Sequence, residues 1–144
     1  MAIWKQSVDL DRINSWNKNT LVEYLDMRVT EIGEDFVRGT MPVDARTKQP
    51  FGLLHGGASV ALAESLGSIG AGLVVAGSGA RVVGLDINAN HLRAVRDGWV
   101  TGTARPLHIG RTTQVWEIRI ENDAGELSCI ARLTMAVPLV EFLQ

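Results

Sequence analysis

The chain has 144 residues, 46% hydrophobic and 21% charged, with a formal net charge of −2 and one cysteine. A single domain spanning 1–144 with a real core is the simplest organisation at that length. The acidic balance argues against a nucleic-acid partner, which needs a basic face to neutralise phosphate. Cys129 alone rules out an internal disulfide. The N-terminal stretch MAIWKQSVDLDRIN has no apolar core of signal-peptide length, so a cytoplasmic protein is expected.

Asp9 to Trp16 reads as a short helix with an acidic start. Asp26 to Gly33 and Asp35 to Met41 read as two strands about the turn Gly33-Glu34. Pro42 to Phe51, with two prolines, reads as a loop. A long helix is predicted over Gly57 to Val75, ended by the turn AGSGA. Four strands follow, at Arg81 to Leu92, Trp99 to Pro106, Thr112 to Glu121 and Glu126 to Val137. In the last, Leu127, Cys129, Ala131, Leu133, Met135 and Val137 share one face, which makes Cys129 a packing residue rather than a nucleophile. Asn122-Asp123-Ala124-Gly125 has the composition of a hairpin turn, and the short connections after the helix favour antiparallel neighbours.

The long helix has no Lys or Arg on any face. Its run from Gly56 to Ala80 is long enough to cross a membrane, but it contains Glu64 and four serines, and a lone acid in lipid is costly. A helix apolar all round is a buried one. At 100° per residue Leu62, Leu66, Ile69 and Leu73 form a stripe expected to face the sheet. Glu64 and Ser68 fall nearly opposite, with Ala61, Ala71 and Val75 around them. The fold class that satisfies this is α+β, an antiparallel sheet wrapped around one central helix, with a second copy of the chain covering the other helix face.

The segment QPFGLLHGGASVALAES carries the candidate chemistry. A helix start leaves backbone N–H groups unpaired, and glycine lets a ligand oxygen approach them, so the Gly56-Gly57 step is a candidate oxyanion hole. One such donor is worth about 2.7–4 kcal/mol against developing negative charge. Glu64 is a candidate general base or nucleophile, and Ser68, one turn on, could orient it. Gly56 and Glu64 are about 12 Å apart along a helix, whereas one reacting carbon needs both groups within roughly 3–3.5 Å. The chemistry therefore asks for two antiparallel copies with shared sites. A bland alternative stays open at this point: HGG as a tight helix entry with His55 bonded to a carbonyl, and Glu64 as a structural acid paired to an arginine.

Three segments, MPVDARTKQPFGLLHGGASVALAES, VVGLDINANHLR and PLHIGRTTQVWEI, occur in order. Together they resemble the hot-dog-fold acyl-CoA thioesterases, in the 4-hydroxybenzoyl-CoA branch with its acid on the central helix. The nearest subgroup by resemblance holds the 1,4-dihydroxy-2-naphthoyl-CoA thioesterases and the proofreading thioesterase of enterobactin synthesis. The resemblance implies Glu64 as catalytic carboxylate, the Gly56 amide polarising the thioester carbonyl, Gln49 and His55 at the thioester, and a hydroxyl near the acid at Ser68. It also implies a homotetramer built as a dimer of dimers. Coenzyme A enters as part of the substrate, with no separate cofactor. Its phosphates call for basic residues at the pocket mouth, with His91, Arg93, His108 and Arg111 as candidates, although Arg93 and Arg111, like Arg96 and Arg105, also suit an ordinary surface. His91 is in phase with Leu85, Ile87 and Ala89 and so either faces the acyl pocket or packs in the core.

The expected reaction is hydrolysis of acyl-CoA, with aromatic acyl groups the favoured class. The alternatives are a thioesterase clearing aryl groups misloaded on carrier proteins, a hot-dog acyl-CoA hydratase or dehydratase using His91, and a non-catalytic acyl-CoA sensor, against which the acid at Glu64 counts. The three histidines and one cysteine have no metal-ligand spacing, and no Gly-x-Ser-x-Gly elbow occurs.

Overall fold

The computed structural model describes residues 1–138. The elements in chain order are α1 (Leu10–Ser15), α2 (Leu21–Tyr24), β1 (Arg28–Ile32), β2 (Val37–Pro42), α3 (Gly56–Val74), β3 (Val83–His91), β4 (Trp99–Ile109), β5 (Thr113–Glu121) and β6 (Leu127–Ala136). All six strands join one antiparallel sheet in the order β1-β2-β4-β5-β6-β3. The helix α3 packs on β2, β4, β5, β6 and β3. Five strands span roughly 20 Å and a helix is only about 10–12 Å wide, so a sheet touching α3 along all five must curl around it. This is the hot-dog architecture expected from the sequence.

The core lies between helix and sheet. Val37, Met41, Val100, Trp116, Ile118, Ile120, Leu133 and Met135 supply its strand side, and all are buried. Alternate residues of β5 and β6 point inward, Cys129 among them. Trp116 Nε1 donates to Gln114 Oε1 at 2.9 Å, so the indole N–H is satisfied inside the core. Trp4 stacks on Trp116 with ring centroids 6.4 Å apart. α1 is capped by Asp9, whose carboxylate accepts from the Asp11 N–H. Asn14 ties it to β1 by donating to the Val29 carbonyl and accepting from the Val29 N–H, both at 2.9 Å.

Three expectations need correction. Ala71 is buried against the sheet and Ile69 is not part of the buried face, which instead takes in Ser59, Ala63, Gly67, Gly70 and Val74. The leucines form only one margin of it. At Gly67 and Gly70 the bulk comes from the sheet: an added Cβ would lie 2.6 Å from Leu133 Cδ2 or 2.7 Å from Trp116 Cη2. The large side chains of the helix therefore do not mark its inner face. Second, β3 and β4 are not neighbours; β3 pairs with β6 at the sheet edge and β4 lies between β2 and β5. The seven residues from Leu92 to Gly98 reach up to about 23 Å, enough to cross the intervening strands. Third, a bulge between Gly84 and Asp86 shifts the phase of β3, so that Gly84 rather than Leu85 faces inward with Ile87, Ala89 and His91. The helix α2 had no signal of its own in the sequence, because four residues are too short for a periodic pattern.

By length and hydropathy α3 would pass as a membrane span. Its position against the sheet makes it a core helix.

Candidate active site

The start of α3 is built by its approach loop. Thr47 is buried, donates from Oγ1 to the Pro42 carbonyl at 2.8 Å, and accepts at its carbonyl from the His55 N–H at 2.8 Å. Leu54 N–H donates to the Val95 carbonyl at 2.7 Å, fixing the loop to the link between β3 and β4. On its outer side Arg46 donates to Asp44 and holds that carboxyl below the usual range. His55 is the N-cap: its Nδ1 accepts from the Gly57 N–H at 2.8 Å. A ring nitrogen that accepts carries no proton, so the neutral ring carries its hydrogen on Nε2. Ala58 and Ser59 donate to the His55 carbonyl. Among the described residues the Gly56 N–H has no acceptor, so the first turn presents one unclaimed donor.

That donor borders a cleft of about 380 Å³ whose walls include Gln49, Leu54, Ser59, His91, Arg93 and Ser128. His91 crosses the helix start so closely that a Cβ on Gly56 would lie 2.9 Å from its Nε2. Gln49 sits in a tight turn, its side-chain Oε1 accepting from the Phe51 N–H. Arg93 pairs with Glu126 at 3.3 Å on the surface.

Glu64 and Ser68 line a different cleft, of about 420 Å³, with Asn17, Leu21, Val22 and Ile69. The Glu64 carboxylate rests on β3, where a Cβ on Gly84 would lie 2.7 Å from Oε1. Among the described residues Glu64 has no ion pair and no side-chain hydrogen bond. The reading of this acid as one half of a salt bridge to an arginine thus finds no partner among the described residues. Ser68 Oγ lies 3.8 Å from Met135 Sδ, so in this conformation it does not hold the carboxylate.

The fold brings Gln49, Gly56, His91 and Arg93 together in one cleft, and Glu64 and Ser68 in another. His108 and Arg111 are elsewhere again. His108 pairs with Val115 at the β4–β5 hairpin, at the sheet end that holds Val83 and Ala136, whereas His91 pairs with Cys129 at the other end. Sequence reasoning missed Asn17, Leu21 and Val22, which reach the Glu64 cleft through the unforeseen turn of α2.

The thioesterase superfamily model matches residues 51–129, from the loop before α3 to the start of β6, and includes Gly56, Glu64, Ser68, His91 and Arg93. The chain is 52% identical over 135 residues to a 1,4-dihydroxy-2-naphthoyl-CoA hydrolase of Escherichia coli, covering 94% of this chain and 98% of that one. It is 51% identical, with the same coverage, to the proofreading thioesterase EntH of Cronobacter turicensis. A crystal structure of a thioesterase from Haemophilus influenzae superposes with a TM-score of 0.90 at 49% identity, covering 93% of each chain. With a family match over more than half its length and half its residues shared with named thioester hydrolases, the chain belongs to the thioesterase superfamily and is a hydrolase of thioesters.

Proposed function

We propose that the chain hydrolyses aromatic acyl-CoA thioesters to the free acid and coenzyme A, at sites completed by a second copy of itself. The observation that carries this is the layout of β3. Gly56 lies over His91 at one end of the strand and Glu64 over Gly84 at the other. Among the described residues β3 is a sheet edge with one side unpaired. Two β3 edges joined antiparallel about a two-fold near Asn88 would set His91 of one chain beside the Gly84–Leu85 bulge of the other. The unclaimed Gly56 amide of one chain would then face Glu64 of its mate, closing the gap of about 12 Å that separates them on one helix. The same pairing would carry His108 and Arg111 of the mate toward Arg93, gathering positive charge for the phosphates of coenzyme A.

In such a site the thioester oxygen accepts from the Gly56 N–H, with Gln49 and His55 beside it. Glu64 either takes a proton from water as the water attacks the carbonyl carbon, or attacks that carbon itself to give an anhydride that water then opens. Both routes consume one water: its oxygen enters the acid directly in the first and whichever carbonyl of the anhydride it attacks in the second, and a proton ends on the departing sulfur. Ser68 stands one turn from Glu64 and could orient water. No cofactor beyond the coenzyme A of the substrate is required, and a cytoplasmic location suits that substrate. The dimer is the unit this chemistry needs; two dimers would form the tetramer. The aromatic class is supported by the 52% identity to a naphthoyl-CoA hydrolase.

The identity to a proofreading thioesterase favours a second reading, in which the acyl group arrives on a carrier protein. Thiol release from benzoyl-CoA, acetyl-CoA and a long-chain acyl-CoA, set beside the same benzoyl group on carrier protein, tests both. Fast release confined to benzoyl-CoA supports the first reading. Preference for the carrier-bound group supports the second. Equal rates on all acyl-CoAs would remove the aromatic assignment.

A further inference from the structure

Ser59 is buried on the inner face of α3, only 3% exposed, and borders the Gly56 cleft. A serine inside a helix can donate to the carbonyl four residues back, as Ser65 does to Ala61 at 2.6 Å. For Ser59 that acceptor is the His55 carbonyl, which already takes the Ala58 and Ser59 N–H groups at 3.0 and 3.2 Å. Both of its lone pairs are then in use. The Ser128 hydroxyl, equally buried in the wall of the same cleft, donates to the Ile120 carbonyl at 3.1 Å. Among the described residues the Ser59 hydroxyl alone of these three has no hydrogen-bond partner. Nor is it sealed off. Asn17 Nδ2 is the one side-chain polar atom among the described residues that is both shut from solvent and unpartnered, so the Ser59 Oγ keeps an accessible face.

A buried hydroxyl with no partner in its own fold is uncommon, and alanine would fill the place with a higher helix propensity. The cleft supplies a reason. Gln49 and His91 also border it, but both are open to water, whereas Ser59 can be reached only from within. Gly56 and Arg93 stand in the same wall. A thioester oxygen on the Gly56 amide and a phosphate at Arg93 leave the thiol arm between them to run through this cleft. The arm carries a secondary amide two carbons beyond the sulfur, and an amide drawn out of water needs a partner. Ser59 is one turn after Gly56, about 4.5 Å further along the helix axis. Resting on the thioesterase reading of the cleft, we infer that Ser59 is a substrate-contacting residue whose hydroxyl hydrogen-bonds that first amide of the thiol arm. The hydroxyl is both donor and acceptor and so suits either the amide oxygen or its N–H.

The test is kcat/KM of the native chain and Ser59→Ala on three thioesters. Benzoyl-CoA has the whole arm, S-benzoyl-N-acetylcysteamine keeps its first amide, and S-pentyl thiobenzoate has the same length without it. The native chain is expected to prefer the N-acetylcysteamine ester over the pentyl ester by about tenfold. In Ser59→Ala that ratio should fall to near one, and benzoyl-CoA should lose about tenfold, chiefly through KM. A thermal melt and the oligomeric state check that the variant is folded. Coenzyme A and the prosthetic group of a carrier protein present the same arm, so the variant should weaken turnover of a benzoyl group on either, and the native chain's preference between them identifies the source. A native chain that treats the two short esters alike, or a variant in which all three substrates fall together with the ratio kept, would overturn the assignment while leaving the thioesterase reading intact. A native chain that releases thiol from no thioester, on coenzyme A or on carrier protein, would overturn that reading and this one with it.

Discussion

Glu64 and Gly84 are in contact across the helix–sheet interface, the carboxylate Oε1 lying where a Cβ of residue 84 would come within 2.7 Å. The bulge after Gly84 makes this possible, because it turns a residue without a side chain toward α3 exactly one strand position before the phase changes. The acid is thereby given a resting place on backbone rather than beside a cation. Among the described residues it stays unpaired, and it is half-buried.

With Glu64 in its proposed role, Gly84→Ala should act on chemistry more than on stability. The atom in the way is the far end of a flexible side chain, so the carboxylate can shift by a few tenths of an ångström at little cost to the fold. A misplaced reacting group is expensive in rate, up to about a hundredfold per ångström. The expected result is a kcat reduced roughly tenfold with KM little changed and a melting temperature within a few degrees of native. Steady-state kinetics beside a thermal melt decides it; unchanged kcat would mean that Glu64 does not need this seat.

Shared sites make a sharper prediction. Glu64→Gln and a lesion in the other half, Gln49→Ala, should each lower kcat by about a hundredfold or more if both groups act on the reacting thioester. Mixed and refolded together in equal amounts, half of the dimers are hybrids, and each hybrid has one doubly damaged site and one intact site. Activity should then return to about a quarter of native. If the mixture stays as inactive as its components, each site is made within one chain.

Much of this was legible in the sequence because it depends on local pattern. The alternation in β6, the length of α3 without Lys or Arg and the break at Ala76 to Ala80 each follow from side-chain periodicity and turn chemistry. The glycine step that opens α3 was legible for the same reason, but its cap was not: His55 accepts from the Gly57 N–H rather than bonding to a carbonyl, and the helix begins at Gly56. What was not legible was set by partners distant in the chain. The inward face of α3 is decided by Trp116 and Leu133 filling the space over Gly70 and Gly67. The bulge at Leu85 depends on pairing with β6, and the approach of Asn17 to Glu64 depends on α2. Residues with no side chain, or with a polar one in an irregular turn, leave no periodic mark.

Gly70→Ala tests the first of those distant effects. In an isolated helix the change would stabilise by about 1 kcal/mol. Here the added methyl meets the Trp116 ring at 2.7 Å, and Trp116 is itself fully buried and stacked on Trp4. Overpacking of this kind typically costs 1–3 kcal/mol. The net effect should be destabilisation by about 1 kcal/mol in chemical denaturation. Gly72→Ala has only Val82 near it, at 4.0 Å, and should be neutral or stabilising. Equal effects at the two positions would contradict the packing described for Trp116.

Cys129 offers a reading of core integrity and a pH dependence. It is buried beneath α3, and burial raises its thiol pKa above the ordinary value. In the folded chain it should resist thiol reagents at pH 8 that label the unfolded chain at once, with labelling governed by opening of the core. The linkage has a definite sign. Above roughly pH 8.5 the unfolded chain loses the thiol proton while the folded chain keeps it, so the folded state binds more protons and stability falls as pH rises. Cys129→Ala lacks this proton. The stability of the native chain relative to that variant should therefore decline from about pH 8.5 upward and stay level below it. Denaturant melts of both chains between pH 7 and 10 measure the difference. A constant difference across that range, or rapid labelling of the folded protein, would show that the thiol is open to solvent.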